Sequence, residues 1–434
     1  DGHFQLVQCG VVILVDGLLG FPVGLLCGVA VRHSDTQPRG LRGGMAVLLL
    51  IALALLGCGG STADSSGEAA QRGVTDTEIV LGSGSDFSGP TAIWGVGATN
   101  AARLRFAQAN EAGGVWGRKI RYVVEDTSYQ VPKAISAANK LINRDEVLAL
   151  LLSVGTPLNN AVMPIQFEAN VPNLFPISGG RQMVEPFHPL KFTQRGIYYD
   201  EVRASVKYFI EQQAKQTPCV IYQDTDYGAE IFAGAKDQAA VMAVPLAAVS
   251  SHKPTETEFT AAILRLKKAN CDLVLMGTVH RDTILVLDAA RKMGWEDVAW
   301  VGNNAAYAQV IADQESGQGY YSFVHMAKLY ADDEMSPLVR TWWNSYIEEY
   351  GEEPGLAAME GYRAADLTVL ALQRAGRDLT TQGLVQALES ITDYTDIFGY
   401  KVSFGPEKHN GATESVLSQV QQGRWVKLQQ AITY

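Results

Sequence analysis

Two short stretches carry the residue types that hold a small anion. In "SVGTPLNN", beginning at Ser153, Thr156 is placed to N-cap a helix with Pro157 at its first position. The Gly155 and Thr156 amides would then point at a ligand rather than at other backbone. In "PISGGRQM", Ser178, Gly179 and Gly180 offer backbone without bulky side chains, which a ligand approaches closely. A carboxylate at such a helix start gains about 0.3–1 kcal/mol, rising to about 2 when partly buried. Both stretches also read as ordinary strand-to-helix turns. Signatures of covalent or metal chemistry are missing: there is no G-x-S-x-G elbow, no phosphate-binding G-x-x-x-x-G-K-[ST] loop and no H-E-x-x-H. "GSGSDF" and "GVGATN" begin like dinucleotide fingerprints but lack the third glycine, and so read as cleft loops. Binding without catalysis, and without a cofactor, is the expectation; a hydrolase or dehydrogenase is the disfavoured alternative.

The elements around these stretches alternate regularly. "EIVLGSGSD" reads as a strand ending in a polar loop, "TNAARLRFAQANEAGG" as a helix with a glycine stop, "KIRYVVED" as a strand and "VPKAISAANKLINRD" as a helix. "VLALLLS", a helix to about Asn170 and "NLFPIS" follow. The pattern restarts after "TQRGIYYDE" with "CVIYQD", a helix from about Ala229, "AVPLAAVS", "EFTAAILRLKKAN", "CDLVLMG", "DTILVLDAARKMGW" and "VAWVGN". Such alternation implies an α/β fold with two doubly wound parallel sheets. Residues 336–375 read as helical, and the tail as strands with a Gly-containing hairpin.

Ahead of this body, "MAVLLLIALALLGC" follows Arg39 and Arg42, giving a basic flank and an apolar run of secretory length. The run is too short to span a bilayer comfortably. Its Leu55-Leu56-Gly57-Cys58 resembles a bacterial lipoprotein signal, which implies lipidation of Cys58 and a membrane anchor. Residues 1–44 are set aside as upstream flank, and "GGSTADSSGEAAQRG" as a flexible tether. The net charge of -11, without a basic stripe, argues against nucleic acid. Export places the body where disulfides form. Cys219 and Cys271 open the first and third strands of the second sheet, neighbours in a 2-1-3 order. A disulfide is conceivable, but two reduced buried thiols are expected.

"EAGGVWGRKIRYVVEDTSYQVPKAISAANKLI" resembles a signature of the solute-binding proteins that deliver branched-chain amino acids and related compounds to ABC importers. "SDFSGPTAIWG" is similar to that family's first ligand loop, "YQDTDYG" to its hinge-proximal loop and "GRWVKL" to its closing strand. The likeness runs in order from about Thr77 to the end. It implies a type I periplasmic binding fold: two Rossmann-like lobes, a three-segment hinge and a ligand clamped between them. The expected division is 1–57 flank and signal, 58–75 linker, 76–196 plus 325–398 first lobe, and 197–324 plus 399–434 second lobe. Crossovers are expected near Arg195–Tyr198, Tyr321–His325 and Gly399–Phe404.

The resemblance also implies a set of site residues. Trp94 and Tyr227 match positions where relatives close aromatic faces on the ligand, with Tyr199 a weaker candidate. Ser153, Gly155, Thr156, Ser178, Gly179 and Gly180 would supply polar contacts. Where amino-acid binders hold the ammonium with a Thr and an acidic residue, this chain has Arg181 and Asn304. Losing that counterion disfavours an α-amino acid unless Glu360 or Asp226 compensates. Arg181 suggests instead a carboxylate or another acidic or amide ligand, and His280 could reach the cleft. The implied role is capture of a small polar metabolite outside the cytoplasm, in the periplasm or at the cell surface, for ABC importer permease subunits. No apolar span follows the body, which favours a tethered binder over a receptor ectodomain, though a binder could present its ligand to a separate sensor.

Overall fold

The computed structural model describes residues 71–412 and 414–430. The expectations for residues 1–57, for Cys58 and for most of the linker lie outside the described residues. Among the described residues no helix is long and apolar enough to cross a membrane.

The first sheet is built from β1 (Glu78–Ser85), α1 (Ala92–Glu111), β2 (Lys119–Asp126), α2 (Val131–Asn143), β3 (Ala149–Leu151), α3 (Thr156–Glu168), β4 (Asn173–Leu174) and β5 (Lys191–Phe192). Its strands run parallel in the order β2-β1-β3-β4-β5. The sequence accounts for these elements locally. In α2, Ala134, Ala137, Ala138, Leu141 and Ile142 recur at helical spacing and are the residues it buries. Parallel strands covered on both faces need unbroken apolar runs, as in the wholly buried Ala149–Leu151.

The second sheet repeats the plan with α4 (Tyr198–Glu211), β6 (Pro218–Gln223), α5 (Asp226–Val241), β7 (Ala248–His252), α6 (Thr260–Lys268), β8 (Leu273–Gly277), α7 (His280–Lys292), β9 (Ala299–Gly302), α8 (Gln309–Ala312) and β10 (Tyr321–Val324). The chain then forms α9 (Pro337–Tyr350), α10 (Leu356–Ala375), α11 (Thr381–Glu389), a two-stranded ribbon of β11 (Tyr394–Thr395) and β12 (Lys401–Val402), and a hairpin of β13 (Val416–Gln421) and β14 (Arg424–Gln430). The second sheet reads β14-β13-β10-β9-β8-β6-β7, so its parallel part has the same 2-1-3-4-5 order as the first. Gln422 and Gly423, both at positive φ, make the hairpin turn.

Helix α10 returns to the first lobe and lies on α1 through small residues. A Cβ on Gly361 would stand 2.2 Å from the Ala98 carbonyl, so only glycine allows this approach. Helix α9 starts and stops as its sequence dictates: the Ser336 hydroxyl accepts from the Val339 amide, Pro337 follows, and Gly351 ends it at φ 73°.

Two expectations need correction. The third crossover falls later than residues 399–404. Phe404 packs on Phe175 and Phe192, and Thr193 exchanges backbone hydrogen bonds with His409 and Gly411, so the chain stays with the first lobe to Gly411 and joins the second sheet at Val416. Cys219 and Cys271 are joined in a disulfide rather than left as thiols. Cys271 lies just before β8, outside the ladder, and its Cα sits 5.9 Å from that of Cys219, within bonding range.

Candidate ligand-binding site

The loops at the carboxyl ends of both sheets face each other, where open α/β sheets gather ligands. They enclose a cavity of ≈ 20 Å3, room for one or two waters. Thr91, Trp94, Tyr129, Gly155, Thr156 and Arg195 contribute to its wall with Tyr198, Tyr227 and Ala305. Asp86 orders the loop before α1 by accepting from the Ser88, Gly89 and Thr91 amides and the Thr91 hydroxyl. That loop presents Trp94, whose Nε1 donates across the cleft to the Ala305 carbonyl at 3.2 Å. Tyr227 is fixed from the opposite side: its hydroxyl donates to the Thr278 carbonyl at 3.1 Å and meets the Asn303 amide, and its ring stands edge-on to Tyr198.

Among the described residues, Arg195 is the one ionic side chain in this wall. It sits in the first crossover, 2% exposed, with its guanidinium 4.6 Å from the Trp94 ring centroid. Nε donates to Glu360 at 3.1 Å and Nη1 to the Tyr198 hydroxyl at 3.3 Å, while Nη2 is buried without a protein partner. His325, from the second crossover, lies 3.1 Å from the same Glu360 oxygen. Burial works to raise the Glu360 carboxyl, but Arg195 and His325 outweigh it and hold it at about 2. Burial pushes His325 down to about 4, against the pull of Glu360, so it is neutral at pH 7. Glu201 beside the cleft is pushed up by burial to about 8, despite hydrogen bonds from Asn304, and is mostly protonated at neutral pH. Among the described residues the cavity wall therefore offers a cation and hydroxyls, and no carboxylate.

Of the residues singled out from the sequence, Trp94, Gly155, Thr156 and Tyr227 line the cavity. Tyr227 does so from the first turn of α5, which begins at Asp226 rather than near Ala229. Thr156 is not the cap of α3. Gly155 takes that position at φ 95°, donates its own amide to the Ile177 carbonyl, and leaves Thr156 to begin the helix. The Thr156 hydroxyl pairs with that of Ser178 at 2.8 Å. Ser153 Oγ accepts from the Gly84 amide. The open backbone expected at Gly179 is closed by the Gly196 carbonyl and the Tyr198 ring, and Gly180 is covered by the Thr156 methyl.

The remaining expected residues have other tasks. Arg181 is not in the cavity wall: it donates through Nε and Nη2 to Glu230 at 2.8 and 3.1 Å and stacks over Tyr199, bridging the lobes. Tyr199 donates its hydroxyl to Asp237. Asn304 donates to Glu201 and the Gly196 carbonyl. Glu360 is occupied by Arg195, and Asp226 accepts from Asn160 across the cleft at 2.8 Å, so neither supplies a free counterion to the cavity. His280 begins α7 outside the cavity wall, and burial and Arg281 lower its pKa to about 4. Tyr129, Arg195 and Tyr198 line the cavity without having been singled out from the sequence. "TQRGIYY" carried one signal, a charged residue inside a crossover that runs on into Ile197, Tyr198 and Tyr199.

Two lobes of like strand order around an interlobe cleft define a class of binding proteins, and the profile of that class, described as periplasmic binding protein, matches residues 78–424. The chain belongs to this family, in its type I, branched-chain amino acid branch. It is 22% identical over 309 residues to the leucine-, isoleucine-, valine-, threonine- and alanine-binding protein of Pseudomonas aeruginosa, covering 70% of this chain and 80% of that one. A fatty acid ABC transporter substrate-binding protein from Thermomonospora curvata superposes with a TM-score of 0.76 at 24% identity, covering 84% of this chain and 94% of the other. An ABC transporter solute-binding protein from R. palustris, in complex with benzoate, gives a TM-score of 0.72 at 18% identity, covering 82% and 97%. The family places the protein outside the cytoplasm.

Proposed function

We propose that this protein captures a small organic carboxylate between its lobes and hands it to an ABC importer. The observation that carries this reading is Arg195: a buried guanidinium in the cavity wall with one nitrogen unpartnered, beside the Thr156 hydroxyl and the start of α3. A ligand carboxylate would complete that guanidinium by a charge-assisted hydrogen bond and meet the first-turn donors of the helix. An ammonium finds no anion there and would face Arg195, so the cavity suits acids over amino acids. Trp94, Tyr198 and Tyr227 suit the apolar body of such an acid. Named relatives that bind branched-chain amino acids, fatty acid and benzoate share carboxylates as their common chemistry.

The test is calorimetry with matched acids, amides and α-amino acids on the wild type and on Arg195→Gln. The acids should bind best, and the substitution should weaken them by about tenfold to a hundredfold, as expected for a charged hydrogen bond of roughly 1.5–3 kcal/mol. Equal binding of acid and amide would refute the reading. The anchor belongs to the same proposal: Cys58 carries the lipid, and mass spectrometry of the mature N-terminus decides it, an unmodified cysteine counting against the anchor.

A further inference from the structure

Trp94 also belongs to the wall of a second and larger pocket, of ≈ 390 Å3, and it is the one residue the two walls share among those described. The first lobe contributes Ile93 and Val96 from α1 and Leu356 and Ala357 from α10; the second contributes Tyr307 and Val310. Charge is confined to the exposed Glu352 and Glu353 and to Lys328. The Lys328 ammonium is already engaged, donating to the Leu329 carbonyl and lying 3.7 Å from the Tyr330 ring centroid. The interior is thus apolar, and like the cleft it is formed by both lobes.

Size separates what the two spaces can hold. Small-molecule sites run to about 300–1,000 Å3. The cavity at Arg195, at ≈ 20 Å3, cannot hold a metabolite alone, whereas the pocket beyond Trp94 falls within that range. The indole face meets the Arg195 guanidinium, 4.6 Å from its centroid, while its Nε1 donates to the Ala305 carbonyl; that hydrogen bond crosses the cleft, so separation of the lobes releases it. We infer that Trp94 is a movable partition, and that the ligand is an amphipathic monocarboxylate whose head meets Arg195 and whose alkyl or aryl tail enters the apolar pocket. This rests on the carboxylate reading above and adds the tail and the residue that admits it.

Calorimetry with straight-chain acids from propionate to decanoate tests the inference, with the primary amides of the same lengths as controls. Affinity should rise by about fourfold for each methylene buried, over several carbons. Two pocket-filling substitutions on opposite walls, Val96→Trp and Val310→Trp, should each lower the ratio of decanoate to propionate affinity by at least tenfold, in protein whose melting confirms folding. Affinity that is flat or falls with chain length, or a rise that survives in both variants, overturns the tail pocket. Amides that bind as tightly as acids at every length instead overturn the head group at Arg195, whatever the slope.

Discussion

At the scale of single residues, the buried ionisable groups around the crossovers set how stability depends on pH. Glu360 and His325 are both held below their ordinary values, at about 2 and about 4. Their contributions are present at neutral pH and are lost as the solution is acidified, His325 from about 6.5 down to about 4 and Glu360 from about 4.5 down to about 2. Glu201 acts in the opposite sense. Its folded value is raised from 4.5 to about 8, so its contribution is present below 4.5 and is lost as the pH rises toward about 8. Followed by urea unfolding from pH 5 to 8, the stability of the wild type should fall by several kcal/mol relative to that of Glu201→Gln, a difference in which the opposite trend from histidines such as His325, common to both proteins, cancels. An identical slope in both proteins would show that Glu201 is ionised in the folded state. The local sequence separates Arg195 from Arg181 only by the crossover in which Arg195 lies. Their partners decide their roles, and those lie 165 positions away at Glu360 and 49 away at Glu230.

At the scale of elements, the disulfide ties the start of the second sheet together. Cys219 and Cys271 are 52 residues apart, and closing a loop of that length is worth about 4 kcal/mol in the chain-entropy description. Double replacement by alanine should lower unfolding free energy by about 2–4 kcal/mol, measured in denaturant, and reductant should have the same effect on the wild type alone. A variant as stable as the parent would remove the bond from the account of stability. The neighbouring strands were readable in the sequence, because 2-1-3 is a common strand order of doubly wound sheets. The covalent bond was not, since Cys271 sits just outside β8, and an error of two residues in a strand boundary reverses the geometric argument. The same sensitivity misplaced the third crossover, whose short β12 ribbon reads like the start of the final hairpin.

At the scale of the whole molecule, the lobes touch through ties that cross the cleft: Trp94 to Ala305, Asn160 to Asp226, and Arg181 to both Glu230 and Tyr199. These favour the closed arrangement, and a ligand that bridges both walls favours it further. Arg181→Ala should therefore weaken carboxylate and amide ligands alike by about threefold to tenfold, because it removes a partly exposed interlobe pair rather than a ligand contact. Small-angle scattering should find the unliganded variant more extended than the wild type. A loss confined to acids would return Arg181 to the ligand, and unchanged dimensions would deny it a part in closure.

Periodicity and punctuation are local properties, and they were enough to determine the alternating strands and helices, the repeated doubly wound plan and the cleft at the strand ends, while the family was legible through the resemblance of motifs such as "EAGGVWGRKIRYVVEDTSYQVPKAISAANKLI". Gly155 and Thr156 could be picked from the sequence because loops at strand ends face the cleft in folds of this order, and Trp94 and Tyr227 because they fall in motifs that resemble the family's ligand loops. Which cation is buried with a nitrogen to spare, which cysteines bond, and that one indole separates a small polar cavity from a large apolar one were decided only in three dimensions. Each depends on side chains far apart in the chain meeting at one point, and burial then fixes their charge and their partners.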